Sequence, residues 1–251
     1  IRAAQEAGGI RQLHFVDDAF NLDFPWLEEF LTRYRDEFTF PWTANVLIAP
    51  LSESMVRLFR ESHCAGVSFG VESGSYRTRK ELLHKDISDQ EILEKAGLLR
   101  RHGIRYCSSN MIGLPGEGVK EAFETMIFNR KLRVYSARTT GYWPVPGTAL
   151  TDRAIREGFL EPGFGIERYN RGEYPRVRHA ETEQLVALVD LFPLVSKHLL
   201  LIPLAKVLLR KPGSWLTKLA AVLADKIFWL YEARYFGLLS ARGLVLYLHH
   251  R

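Results

Sequence analysis

Five short apolar segments that read as strands begin near positions 11, 42, 65, 104 and 133, and helical periodicity fills the gaps between them. Strands joined through a helix return in the same direction, so this spacing selects a parallel sheet and an α/β fold. The expected strands are Arg11 to Asp17, Trp42 to Ile48, Ala65 to Val71, Ile104 to Ile112 and Arg133 to Trp143. Between them, Phe24 to Glu37 carries Leu27, Phe30, Leu31 and Tyr34 at helical spacing. Ser52 caps a helix with Met55, Val56, Leu58 and Phe59 on its apolar side. Ser88-Asp89-Gln90-Glu91 has the form of a capping box and opens a helix that closes at Gly103, and a further helix is expected near Val119 to Leu132.

In parallel β/α architectures all carboxyl ends of the strands share one face, and ligands bind there. Three polar clusters fall at such ends: Asp17-Asp18, Glu72-Ser73-Gly74, and the turn Gly113-Leu114-Pro115-Gly116-Glu117. Each has a plain structural reading. Asp-Asp after a strand is a common turn or helix-start signal, and Leu-Pro-Gly-Glu is a good turn whose Glu117 can cap the next helix. A carboxylate at Glu72 has no helix start after it to justify its desolvation, which leaves a ligand or a salt bridge to Arg77 or Arg79. Cys64 and Cys107 lie far apart in apolar runs and offer neither a disulfide framework nor a C-x-x-C pair, which suits reducing cytosol. His14 and His63 lack a ligand-spaced partner, and Tyr142-Trp143 before Pro144 can wall a pocket or fill a core.

Taken together, Phe15-Val16-Asp17-Asp18-Ala19-Phe20, Trp42, Cys64 to Gly74, Met111 to Glu117 and Pro144 to Thr148 resemble the radical S-adenosylmethionine (SAM) superfamily. The resemblance is to the branch with an upstream cobalamin-binding domain, and it runs from about Leu13 to Gly158. It implies a partial TIM-like (β/α) barrel with SAM across the carboxyl ends of the strands and its methionyl end on the unique iron of a [4Fe-4S] cluster. Glu72 then accepts ribose hydroxyls with Ser73 beside it, Gly74 lets ligand approach backbone, Asp17 or Asp18 meets the ammonium, and Gly113, Pro115 and Gly116 present backbone to the adenine edge.

The C-x3-C-x2-C triplet that normally holds the cluster is absent from this sequence. The resemblance places it before Ile1, so the expectation is an N-terminally truncated piece, inactive alone, whose full form also uses cobalamin through a preceding domain. The implied chemistry is radical-based modification or methylation of a small-molecule or lipid-like substrate that the sequence does not identify. Two other readings use the same residues: a barrel with Asp17, Asp18, Glu72 and Glu117 as metal ligands or an acid/base pair, and a degenerate barrel that binds a partner or membrane.

The reading divides the chain into a barrel over 1–158, a connection over 159–195 rich in proline, glycine and arginine, and a basic tail over 196–251. The tail holds nine Lys or Arg against two acids, Asp225 and Glu232. Prolines and charges interrupt its apolar blocks, so two or three amphipathic helices fit better than a membrane span. They are expected to pack on the barrel, on a further domain or on an anionic membrane, with packing on protein favoured and peripheral contact at the inner membrane face added to it. No RNA- or DNA-binding motif accompanies the basic charge.

Overall fold

The computed structural model describes residue 1 and residues 12–172 and 177–235. Its centre is a five-stranded sheet in the order β1 (Leu13–Phe15), β2 (Trp42–Asn45), β3 (Cys64–Glu72), β4 (Arg105–Ile112) and β5 (Ser136–Gly141). Every neighbouring pair is parallel. Helices α1 (Phe24–Glu37), α2 (Glu53–Glu61), α3 (Asp89–Arg101) and α4 (Val119–Leu132) make the four crossovers. Sequence order equals spatial order and the helices share one face, which is the arrangement of a partial (β/α) barrel rather than of a doubly wound sheet.

The helices form where their caps and apolar stripes place them. Asp23 accepts the Trp26 N–H at 3.1 Å and opens α1, whose Leu27, Leu31 and Tyr34 are buried at i, i+4 and i+7. Ser52 caps α2, and Ser88 with Glu91 closes the expected capping box on α3. α4 is fixed by two carboxylates, since Glu121 accepts the Gly118 N–H and Glu181 accepts the Val119 N–H, each at 2.9 Å.

Strand ends differ from the sequence reading at several places. β1 spans only Leu13–Phe15, and Arg11 lies outside the described residues. β2 stops at Asn45, after which Val46 N–H still bonds Ser68 O at 2.8 Å. β5 starts at Ser136 because Arg133 adopts a left-handed backbone that ends α4. After it come α5 (Ala149–Arg156), α6 (Ile166–Asn170), α7 (Thr182–Lys197), α8 (Ile202–Leu208) and α9 (Trp215–Tyr235). α7 runs through the point where the tail was expected to begin and carries Leu185, Leu188, Leu191 and Phe192 into a second core shared with Ala122, Met126 and Ala137.

α9 packs on α7, and its last turn reaches the concave face of the sheet. Arg138 of β5 pairs with Glu232 at 2.7 Å, and a Cβ on Gly66 would sit 2.6 Å from the Tyr235 ring. The described part of the tail is therefore packed on the barrel through this side of α9.

Gly74, at the strand-end face, is a glycine whose added Cβ would strike backbone. A Cβ there would meet Thr125 Cα at 2.6 Å and Glu124 O at 2.8 Å, both backbone of α4. Gly74→Ala is expected to push α4 outward and cost about 1–3 kcal/mol, whereas Gly103→Ala, with open space but φ +68°, pays only the left-handed strain of about 1 kcal/mol. Urea unfolding midpoints of the two variants check this ranking, and equal midpoints would contradict it.

Candidate functional site

β3 leaves the sheet through a backbone that few side chains adopt. Glu72 has φ +66°, and the β3–β4 register shifts between Gly70 and Glu72. A left-handed glutamate costs on the order of 1 kcal/mol or more, and such positions concentrate at functional sites. The turn folds the carboxylate back over Gly70, where a Cβ would lie 2.0 Å from Glu72 Oε1. Gly70 thus makes room for the Glu72 carboxylate itself. Its ion-pair partner is Lys85, which donates to Oε1 at 2.7 Å, and neither arginine considered from the sequence takes that place. Arg77 lies 3.8 Å from Glu81, while Arg79 is fully buried, donates to Ser73 O at 2.8 Å and pairs with Asp89.

Two of the three strand-end clusters meet directly. Ser73 is buried, and its Oγ donates to Glu117 Oε1 at 3.1 Å, joining the exit of β3 to the turn after β4. Gly74 N–H donates to Thr125 Oγ1 at 2.8 Å. Ser73 and Gly74, expected beside a ligand, are bonded to the turn that leads into α4 and to α4 itself. Burial pushes the Glu117 carboxyl up to about 7, against the bond from Ser73 that pulls the other way. A polar cavity of about 420 Å³ lies alongside, lined in part by Thr78, Pro115, Gly116 and Glu117.

Asp17 and Asp18 are exposed in the turn after β1 and make no ion pair among the described residues. That turn is anchored by Asn21, a residue the sequence reading passed over. Asn21 is fully buried, accepts the Leu47 N–H at 2.7 Å and donates to Leu47 O at 2.9 Å, while Phe20 N–H bonds Asn45 O. The ends of β1 and β2 are thereby held together at the same edge of the sheet. In the turn after β4, Gly113 (φ +75°) and Gly116 (φ +83°) both use the left-handed region, and the Gly113 carbonyl is 2.9 Å from His179 Nε2. Beside it a cavity of about 480 Å³ is walled by Tyr142, Trp143, Pro144, Val189 and Asp190.

The concave face of the sheet is polar. His14 Nδ1 lies 2.9 Å from Thr43 Oγ1, and Arg138 reaches across β4 to donate to Ser68 Oγ at 3.1 Å. Cys64 and Cys107 are buried on β3 and β4, where burial pushes both thiols up, that of Cys107 to about 12. A [4Fe-4S] cluster needs thiolates converging from one loop, so these two residues do not fit it. Among the described residues no group of three or more His, Cys, Asp or Glu is placed to hold a metal ion.

Glu117 gives a pH test of this geometry. Its folded pKa of about 7 stands above the unfolded 4.5, so the folded state holds a proton that the unfolded state loses first. Stability from this group is fully present below pH 4.5 and is lost as pH rises through about 7, a loss on the order of 3 kcal/mol. Glu117→Gln is expected to flatten that part of the curve and to be at least as stable as wild type at pH 8. Urea titrations of both proteins across the range measure it, and parallel pH curves would contradict the buried, protonated carboxyl.

The sequence model of the radical SAM superfamily matches residues 1–128. An uncharacterised methyltransferase of Pyrococcus horikoshii is 31% identical over 153 residues, covering 61% of this chain and 33% of that protein. Cytidylyl-2-hydroxyethylphosphonate methyltransferase of Streptomyces wedmorensis is 26% identical over 174 residues, with 65% and 32% covered. The chain spans about a third of the length of these curated relatives. Its fold is similar to that of the radical SAM methyltransferase TsrM of Kitasatospora setae, solved with cobalamin and a [4Fe-4S] cluster (TM-score 0.52, 19% identity, 62% of this chain and 32% of that one). It is also similar to coproporphyrinogen III oxidase of Escherichia coli (TM-score 0.53, 13% identity, 71% and 46%). With the family model covering just over half of its 251 residues, the chain belongs to the radical SAM superfamily.

Proposed function

We propose that this chain is the SAM-cradling barrel of a radical SAM methyltransferase acting on a small molecule. The observation that carries the reading is Glu72, a strained carboxylate at the carboxyl end of the central strand, paired with Lys85 and followed by Ser73, whose carbonyl Arg79 holds. A carboxylate fixed in this way accepts hydrogen bonds from ribose hydroxyls without reorganising. Asp17 and Asp18 supply negative charge for the methionyl ammonium, and the Gly113, Pro115 and Gly116 turn offers backbone to the adenine edge. Ser73 and Gly74 act one step back, by positioning Glu72. The methyltransferase assignment and the small-molecule substrate are supported by the names of the relatives above. Cobalamin is supported by the TsrM structure, which was solved with it bound.

Cys64 and Cys107 do not fit as ligands of the [4Fe-4S] cluster that the family uses. The strand-end residues Asp17, Asp18, Glu72 and the Gly113 to Gly116 turn bind and orient SAM. A cytoplasmic setting agrees with two free, buried cysteines. A catalytically silent barrel is the second reading, favoured by those same cysteines. Binding of SAM followed by turnover in the presence of the cluster separates the two.

The direct test is calorimetric titration of SAM into wild-type chain and Glu72→Gln. The carboxylate contributes charge-assisted hydrogen bonds, so the variant is expected to bind about 5- to 100-fold more weakly, or about 1–3 kcal/mol. Equal affinity, or no binding to the wild-type chain at millimolar SAM, would contradict the assignment.

A further inference from the structure

One face of α9 packs on the barrel, and the opposite face carries a row of exposed apolar side chains from Trp215 to Leu230. At 100° per residue, Trp215, Leu216, Leu219, Val222, Leu223, Ile227 and Leu230 fall within about 140° of the helix circumference. All seven are exposed, from 37% for Ile227 to 71% for Trp215. Of the buried positions, Thr217, Ala224 and Tyr235 lie on the other side, where Ala224 joins the second core and Tyr235 meets the sheet, while Ala233, in the last turn, is buried within the arc of the stripe. The preceding turn and helix repeat the pattern with Leu200, Leu204 and Val207 at i, i+4 and i+7, exposed at 94%, 55% and 55%. An apolar surface of this extent marks an interaction site.

We propose that this stripe seats the protein in the plane of an anionic lipid membrane. The charge around it selects that occupant. Arg210, Lys211, Lys218, Lys226 and Arg234 are exposed on or beside α8 and α9. Of the two acids in the same stretch, Glu232 is already paired with Arg138 on the inner side, leaving Asp225 as the exposed one. Lys226 falls inside the apolar stripe. On a bilayer its four-carbon stem lies among acyl chains and the ammonium reaches the phosphates. Among the described residues no helix is long and apolar enough to cross a membrane, so α9 would lie in the interface with Trp215 at headgroup depth. The surface is independent of the SAM site, and neither proposal stands or falls with the other.

Co-sedimentation of the whole chain with phosphatidylcholine vesicles, with and without phosphatidylglycerol, tests this. The wild type is expected to sediment with the anionic vesicles only, and raising the salt should weaken binding by about tenfold or more. Leu219→Glu/Leu223→Glu replaces two exposed side chains, so the fold should survive while sedimentation is lost. Quenching of Trp215 by lipids brominated near the carbonyls, abolished in Trp215→Phe, gives a readout on the unmodified stripe. A wild type that stays in the supernatant, equal sedimentation with both vesicle types, or a double variant that sediments as well as wild type would overturn the proposal. So would a soluble dimer that covers the stripe and ignores vesicles.

Discussion

The carboxyl edge of the sheet depends on how closely the exit of β3 approaches α4. Gly74 permits that approach, because a methyl group in its place would strike the α4 backbone. The contact brings the Gly74 N–H to Thr125 Oγ1 and sets Ser73 Oγ against Glu117, which ties β3 to the turn that follows β4. Glu72, one residue earlier, is left with little choice but the left-handed conformation that folds its carboxylate over Gly70. Backbone strain, a buried carboxyl and the absence of two side chains are thus parts of one arrangement.

Electrostatics complete it. Arg79 is a guanidinium with no exposure at all, and its bonds run to Ser73 O, Ile87 O and Asp89. It joins the strand exit to the start of α3 and leaves Lys85 free to meet Glu72. A buried guanidinium is costly unless its donors are used, and using them on backbone carbonyls fixes the loop between β3 and α3. The Phe128 ring, 5.3 Å from the guanidinium carbon, adds a cation–π contact from α4.

Much of this was legible in the sequence, for physical reasons. Strand spacing and the Ser52 and Ser88 caps are local signals, so the parallel α/β order and the starts of α2 and α3 followed from neighbours in the chain. Glu72 stood out because no helix start excuses a carboxylate there. The partners were not legible. Lys85, Arg79 and Thr125 approach from 13, 6 and 51 residues away along the chain, measured from the groups they bond, and nothing in the residue types says that Gly74 lies against a helix. Asn21 was missed for the same reason, since a buried asparagine bridging two strand exits looks like any turn residue in sequence. The extent of α7 was obscured by the change in composition near position 196, although its apolar face continues through it.

In the function proposed above, Glu72 and the turn after β4 form one ligand-binding edge. Hydrogen exchange of the chain with and without saturating SAM tests it most directly. Slowed exchange in residues 69–74 and 113–117, with α9 unchanged, is expected. Unaltered exchange at both strand ends under saturating SAM, or protection confined to the cavity beside Trp143, would contradict it.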